Sequence, residues 1–158
     1  MRARDQERAF AAKIQESPAF VDWLLGQTKF AGTAVRIALV RSDNPWYRSK
    51  STGIESETDI LLVFERIDGL SRFALHIENK RMSDKFRPRQ PQLYHERARD
   101  WMHMPKWGDY DDFEVVLIAP REFYRRNKEA ADVFHRFIPH EQISEHVREF
   151  AAESVTSP

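Results

Sequence analysis

The sequence predicts an α/β fold, a central mixed β-sheet flanked by helices. Three observations carry this. Two apolar, β-rich runs, "TDILLVF" and "SRFALHIEN", flank Asp68-Gly69, the preferred residues of a tight hairpin turn. A third continuous apolar run, "FEVVLIA" at 113–119, reads as a buried strand. Helical patterns stand before, between and after these strands. At 158 residues, 41% hydrophobic and 12% aromatic, the chain reads as a single domain over 1–158, with enough apolar surface for a core and too much for disorder.

The elements follow in order. Asp5 to Glu16 predicts a helix, with Phe10 and Ile14 four apart on one face. Ser17-Pro18 has the pattern of an N-cap and first helical residue. The short helix it opens carries Phe20, Trp23 and Leu24 on its apolar face and Gly26 near its end. Val35 to Val40 is a strand, and "SDNP" after it is turn chemistry. The hairpin comes next, then a helix opened by Pro88 and running to about Met104. Pro120 ends the strand at 113–119, a helix follows across "REFYRRNKEAADVF", and a last helix starts near Pro139.

Composition excludes several classes. The 25 basic residues balance the 25 acidic ones, which argues against the blanket basic surface of a non-specific nucleic-acid coat and leaves room for a local patch. The absence of cysteine removes disulfides and thiolate metal sites. No stretch approaches a membrane span, and "MRARDQERAF" lacks a signal peptide's apolar core, so the expectation is a soluble cytoplasmic protein with no membrane partner.

The hairpin has a consequence that can be counted. With a two-residue turn at Asp68-Gly69, Ile67 pairs with Leu70, and eight steps further out Asp59 lies opposite Glu78. Facing residues of an antiparallel pair point to the same side, with Cβ atoms about 5 Å apart. Alternation adds Lys80 to that side. A four-residue turn sets Asp59 against Lys80 on the same face, whereas a three-residue loop sends it to the other face. Two facing carboxylates repel, and a divalent cation between them reverses the sign of that interaction. Mg²⁺ is typically held by one or two carboxylates with water and substrate phosphate. A lysine beside it can orient or deprotonate an attacking water, or stabilise charge on a phosphate.

With Asp59 in "TDILLVF" and Glu78, Asn79 and Lys80 in "HIENK", the chain resembles the PD-(D/E)XK nuclease superfamily, whose fold is the restriction-endonuclease-like one. Thr58 stands where the family name has Pro. The segment "RPRQPQLYHERARDW" resembles the helix that follows the motif in many members, with Gln90 and Tyr94 matching its Q-x-x-x-Y pattern. A right-handed crossover then places "FEVVLIA" parallel to "FALHIEN". The likeness covers roughly Glu55 to Ala119 well and the flanks by element type alone. It implies a Mg²⁺- or Mn²⁺-dependent nuclease acting on nucleic acid, DNA first, with Asp59, Glu78 and Lys80 catalytic and Gln90 and Tyr94 supporting. Asp59, Glu78 and the main-chain carbonyl of Asn79 are the implied metal ligands, with Glu16 or Glu7 as an acidic contribution from the first helix. The alternative is an inactive member of the fold that binds nucleic acid or serves in assembly.

Around this site Arg81, Lys85, Arg87 and Arg89 stand with one Asp84, a local basic patch suited to phosphates. "NPWYRSK" reads as packing at a strand edge and "YRRNK" at 124–128 as a solvated helix face. The six His read as structural or surface residues. Trp101, Met102, Met104, Trp107 and Tyr110 in "WMHMPKWGDY" read as an exposed apolar surface, and hence as a homodimer interface.

Overall fold

The structure, a computed structural model, describes residues 2–152. Helices α1 (Ala3–Glu16) and α2 (Pro18–Gly26) lead into strands β1 (Val35–Arg41), β2 (Trp46–Arg48), β3 (Glu55–Glu57), β4 (Ile60–Arg66) and β5 (Arg72–Asn79). Then come helix α3 (Gln90–Asp100), strand β6 (Asp112–Ala119) and helices α4 (Arg121–Arg126) and α5 (Lys128–Ala131). Strand β7 (Arg136–Pro139) and helix α6 (His140–Ile143) follow. Five strands form one mixed sheet in the order β1-β4-β5-β6-β7, and β2 and β3 form a separate ribbon. The pairs β1–β4 and β4–β5 are antiparallel, and β5–β6 and β6–β7 are parallel.

Alternation along β4 and β5 builds two cores. Ile60, Leu62, Phe64, Phe73, Leu75 and Ile77 pack with Phe10, Ile14, Phe20 and Leu24 of α1 and α2. Leu61, Val63 and Ala74 face the other way, against Trp101, Trp107 and Tyr110. Tyr94 and Ala98 of α3 pack there with Val115, Leu117 and Phe123. Ser17 caps α2 as its sequence predicts, its Oγ accepting the Phe20 N–H at 3.1 Å. No helix among the described residues is long and apolar enough to cross a membrane.

The hairpin keeps the expected register with a different turn. The last rung is Arg66–Ser71, where the Arg66 amide donates to Ser71 at 3.0 Å, so residues 67–70 form a four-residue loop. Centred on Asp68-Gly69, it keeps Asp59 against Glu78 and not against Lys80 as expected of a four-residue turn. The Ile67 amide goes instead to the Ala34 carbonyl at 3.0 Å, and Asp68 Oδ1 accepts the Leu70 amide at 2.9 Å. Other boundaries also differ from the sequence expectation. Arg89, at φ 62°, is left-handed, so α3 starts at Gln90 rather than Pro88, and it ends at Asp100. The helix expected across 121–134 breaks at Asn127, and β7, β2 and β3 were not expected.

The aromatic segment is corrected more deeply. Trp101 and Trp107 are buried and stack on each other at 3.9 Å with their planes 7° apart, and Tyr110 is fully buried. Only Met104 of the five is exposed. A homodimer interface built on this segment loses its basis, because its aromatics fill the core under α3. Gly108 makes that packing possible. It has φ 89°, and a Cβ there would sit 2.9 Å from Val63 Cγ2 and 3.0 Å from its Cβ and Cγ1. Gly108→Ala is therefore expected to lower stability by about 2–4 kcal/mol, from overpacking plus the left-handed backbone. Gly69→Ala, with φ 74° and open space around it, should lose about 1 kcal/mol. Urea midpoints at unchanged slope check both.

Candidate active site

The β4–β5 register runs from Glu65↔Arg72 to Ile60↔Ile77, so Asp59, one step beyond, stands against Glu78 at the end of the sheet. Pleating then sorts the neighbours by face. Glu78 turns toward α3, where Gln90 Nε2 lies 3.4 Å from both carboxylate oxygens. Asn79 turns the other way, its Nδ2 donating to Gln6 Oε1 and to Glu7 Oε2 of α1 at 3.1 Å each. Its Oδ1 meets His140 Nε2 at 2.8 Å, so one side chain ties β5 to both α1 and α6. Lys80, buried, donates to the Lys85 carbonyl at 2.8 Å and lies 3.6 Å from Glu78 Oε1.

Asp59 is held on three sides. The Asn79 amide donates to Oδ2 at 2.8 Å, Asn44 Nδ2 donates to Oδ1 at 2.9 Å, and the Asp59 amide donates to Tyr94 Oη at 3.0 Å. Tyr94 donates in turn to the Ile77 carbonyl at 3.3 Å. Gln90 and Tyr94 thus each grip one carboxylate residue, one turn of α3 apart.

Behind them lies a buried polar chain. Arg97, fully buried, donates from Nε to Thr58 Oγ1 at 2.6 Å and from Nη1 to Ser56, and its guanidinium lies 4.3 Å from the Tyr94 ring. Its Nη2 has no hydrogen-bond partner among the described residues. Thr58 Oγ1 is 3.0 Å from His76 Nδ1, and His76 Nε2 is 3.0 Å from Tyr110 Oη, which donates to the Ala98 carbonyl. Since the Tyr110 hydroxyl gives its proton to Ala98, it accepts from His76 Nε2–H, so in the neutral ring Nδ1 accepts from the Thr58 hydroxyl. Burial and then Arg97 hold the His76 pKa well below its ordinary value, in keeping with that neutral ring. His76 is structural, as expected.

Asp59, Glu78 and Glu7 are strained toward protonation. Burial first and Glu78 second raise Asp59 well above the usual carboxylate range, and burial raises Glu78 against the pull of Lys80. Burial and then Asp59 push Glu7 up to about 8. Such groups favour a cation among them. No group of three or more His, Cys, Asp or Glu side chains among the described residues forms a metal cluster. The facing pair Asp59 and Glu78 nonetheless fits a hexacoordinate Mg²⁺ or Mn²⁺ that takes its other positions from water, phosphate and main-chain oxygen.

These residues line a cleft of about 440 Å³, with Arg4, Arg81, Lys85 and Arg87 on its walls. Arg81 is partly neutralised by Asp84, 3.6 Å away. Of the residues expected from sequence, Asp59, Glu78, Asn79, Lys80, Gln90, Arg81, Lys85 and Arg87 line the cleft. Tyr94 lies beneath it. Glu16 does not belong, being exposed near the far end of α1, and Glu7, three turns earlier, is the acidic residue that reaches the site. Arg89 also lies outside, lining a neighbouring cleft. Asn44 was read only as turn chemistry. Its contact with Asp59 spans 15 residues and a left-handed φ of 53° that Asn tolerates, neither of which local pattern displays. Arg97 was missed too, although its position three residues after Tyr94 and four before Trp101 sets it on the same helix face.

No family model matches the chain, and neither a curated protein nor a solved structure is similar to it.

Glu7 supplies a pH test. Its folded pKa, about 8, lies above the ordinary 4.5, so between these values the folded state binds more protons than the unfolded one. This group therefore removes stability as pH rises through that window. Glu7→Gln should be more stable than wild type at pH about 8, by on the order of 4 kcal/mol, and equal to it near pH 4. Urea titrations of both proteins in EDTA at several pH values check this, and parallel curves would refute it.

Proposed function

We propose that the chain is a metal-dependent nuclease of the PD-(D/E)XK type, with a restriction-endonuclease-like fold, hydrolysing phosphodiester bonds of nucleic acid, DNA first. The observation that carries this reading is Asp59 set against Glu78 with Lys80 Nζ 3.6 Å from Glu78, in a cleft whose lining mixes Arg4, Arg81, Lys85 and Arg87 with Glu55, Glu57 and Asp84. The element order strand, strand, helix, strand around that site, with β6 parallel to β5, supports it.

In this reading water attacks phosphorus, its oxygen becomes a phosphate oxygen, and the P–O bond to one nucleoside breaks as that oxygen gains a proton. Mg²⁺ or Mn²⁺, when bound by Asp59 and Glu78, acidifies a coordinated water and neutralises phosphate charge. Lys80 spends one N–H on the Lys85 carbonyl, which points its remaining donors and fixes the ammonium where it orients the attacking water. Gln90 holds the Glu78 carboxylate, and Asn44 and the Asn79 amide hold that of Asp59, so neither carboxylate has to be ordered during the reaction. Arg81, Lys85 and Arg87 take the flanking phosphates.

The test is cleavage of plasmid, linear duplex, single-stranded DNA and RNA with Mg²⁺ or Mn²⁺. Glu78→Ala and Lys80→Ala should each lower the rate by on the order of 10²-fold or more while the fold persists by circular dichroism. Wild-type rates in either variant, or activity undiminished by excess EDTA, would sink the proposal. Binding without turnover under any metal would identify the inactive binding module instead.

A further inference from the structure

A second cleft, of about 540 Å³, adjoins the first and shares Arg87 and Pro88 with it. We propose that a nucleic-acid strand held in the first cleft continues over Pro88 into the second, where Arg89, Arg126 and Lys128 hold its backbone phosphates. The inference rests on the reading of the first cleft as a phosphodiester site and extends it to the length and path of the substrate.

Four observations carry it. The second cleft draws four cations, Arg87, Arg89, Arg126 and Lys128, against the single carboxylate Glu129, in a chain whose basic and acidic residues otherwise balance at 25 each. These cations come from two separate segments, and the fold brings them together: Arg126 Nη2 donates to the Met82 carbonyl at 2.6 Å, which fixes the end of α4 against the 81–89 loop. The clefts share a partition as well as a rim. Phe86 lines the second cleft, carries Lys80 Nζ 5.2 Å from its ring centre, and packs edge-on against Phe123 at 5.3 Å. Arg89, finally, adopts φ 62° without being glycine, asparagine or aspartate, is exposed, and takes part in no ion pair among the described residues. A strained backbone that presents an unpaired guanidinium at a cleft marks a ligand contact rather than packing.

The competing contacts are weak ones. Lys128 pairs with Asp132 at 2.5 Å and Arg126 with Glu122 at 3.9 Å, both on the solvated surface, where such pairs contribute little and yield to a phosphate. Arg125, Arg126 and Lys128 are exposed at the ends of α4 and α5, in keeping with the sequence reading of a solvated face, and the proposal adds a binding role for Arg126 and Lys128. A polyanion is the ligand because the cleft offers several cations at successive positions and no buried pocket for a single anion.

The test is binding of a labelled single strand of about 20 nucleotides, in EDTA, across a range of salt, by wild type and by Arg89→Gly/Lys128→Gln. Glycine accepts the left-handed backbone, so the double variant removes charge without adding strain. Binding should weaken about tenfold near 0.1 M salt, and the slope of log K against log salt should shrink by about 1.4, the value for two lost single-strand phosphate contacts. Turnover of bis(para-nitrophenyl) phosphate with Mn²⁺, which needs only the first cleft, should be unchanged. Should the double variant melt early, Lys128→Glu alone, at an exposed position, reads the same slope. An unchanged slope and affinity overturn the path, as does a wild type that fails to bind at low salt. If the slope shrinks but wild type does not turn over the small ester, the path stands and the hydrolytic reading falls.

Discussion

Asp59 and Glu78 repel each other across the end of the β4–β5 pair, and the protein answers with neutral amide donors and a single lysine. The sheet is what makes this tolerable. Nine apolar side chains between Ile60 and Ile77 are completely buried, and each larger one stabilises the fold by roughly 1.5–3 kcal/mol. A raised carboxylate costs about 1.4 kcal/mol per pKa unit. Slipping the register by one residue would part the carboxylates and turn each strand's apolar side chains into the wrong one of the two cores, so the pairing wins and the repulsion stays. Every other element near the site acts on this pair. Helix α3 reaches it through Gln90 and Tyr94, α1 through Glu7, and the turn before β2 through Asn44.

The same balance explains what could be read from the sequence. The hairpin register was legible because period-2 hydrophobicity and Asp68-Gly69 point to one alignment, and four-residue closure at Arg66–Ser71 preserves it. Gln90 and Tyr94 were singled out by the resemblance of their segment to a Q-x-x-x-Y helix, and helical spacing adds only that they share one face. Contacts decided by three-dimensional proximity were not. Glu7 and Glu16 are equally acidic on one helix, and only the way α1 lies on the sheet chooses between them. Trp101, Trp107 and Tyr110 look exposed in a sequence with polar neighbours, yet Gly108 lets the segment fold back so that two indoles stack. Strand β7 is four residues long, and β2 and β3 are three each, too short for periodicity to register.

Charge shows the same division between sequence and space. A balanced total hides the fact that the 81–89 loop and the α4–α5 junction lie side by side. Inside, Arg97 is a buried cation whose nearest hydrogen-bonding partners are two hydroxyls rather than a carboxylate. It lowers the energy of the two site carboxylates from behind α3 without occupying the cleft. Thr58 is the hinge of that arrangement, because its hydroxyl both accepts from Arg97 and donates to His76.

Asn79 has a bearing on the order in which the molecule is built. Its side chain is satisfied by residues 73, 72 and 61 positions away, Gln6, Glu7 and His140. Contacts of such separation close late, after the local hairpin and helices. During synthesis β4 and β5 can pair long before His140 leaves the ribosome, and until then Asn79 lacks one of its anchors. Until then the end of β5 is tied to α1 through Gln6 and Glu7 and has no link to α6.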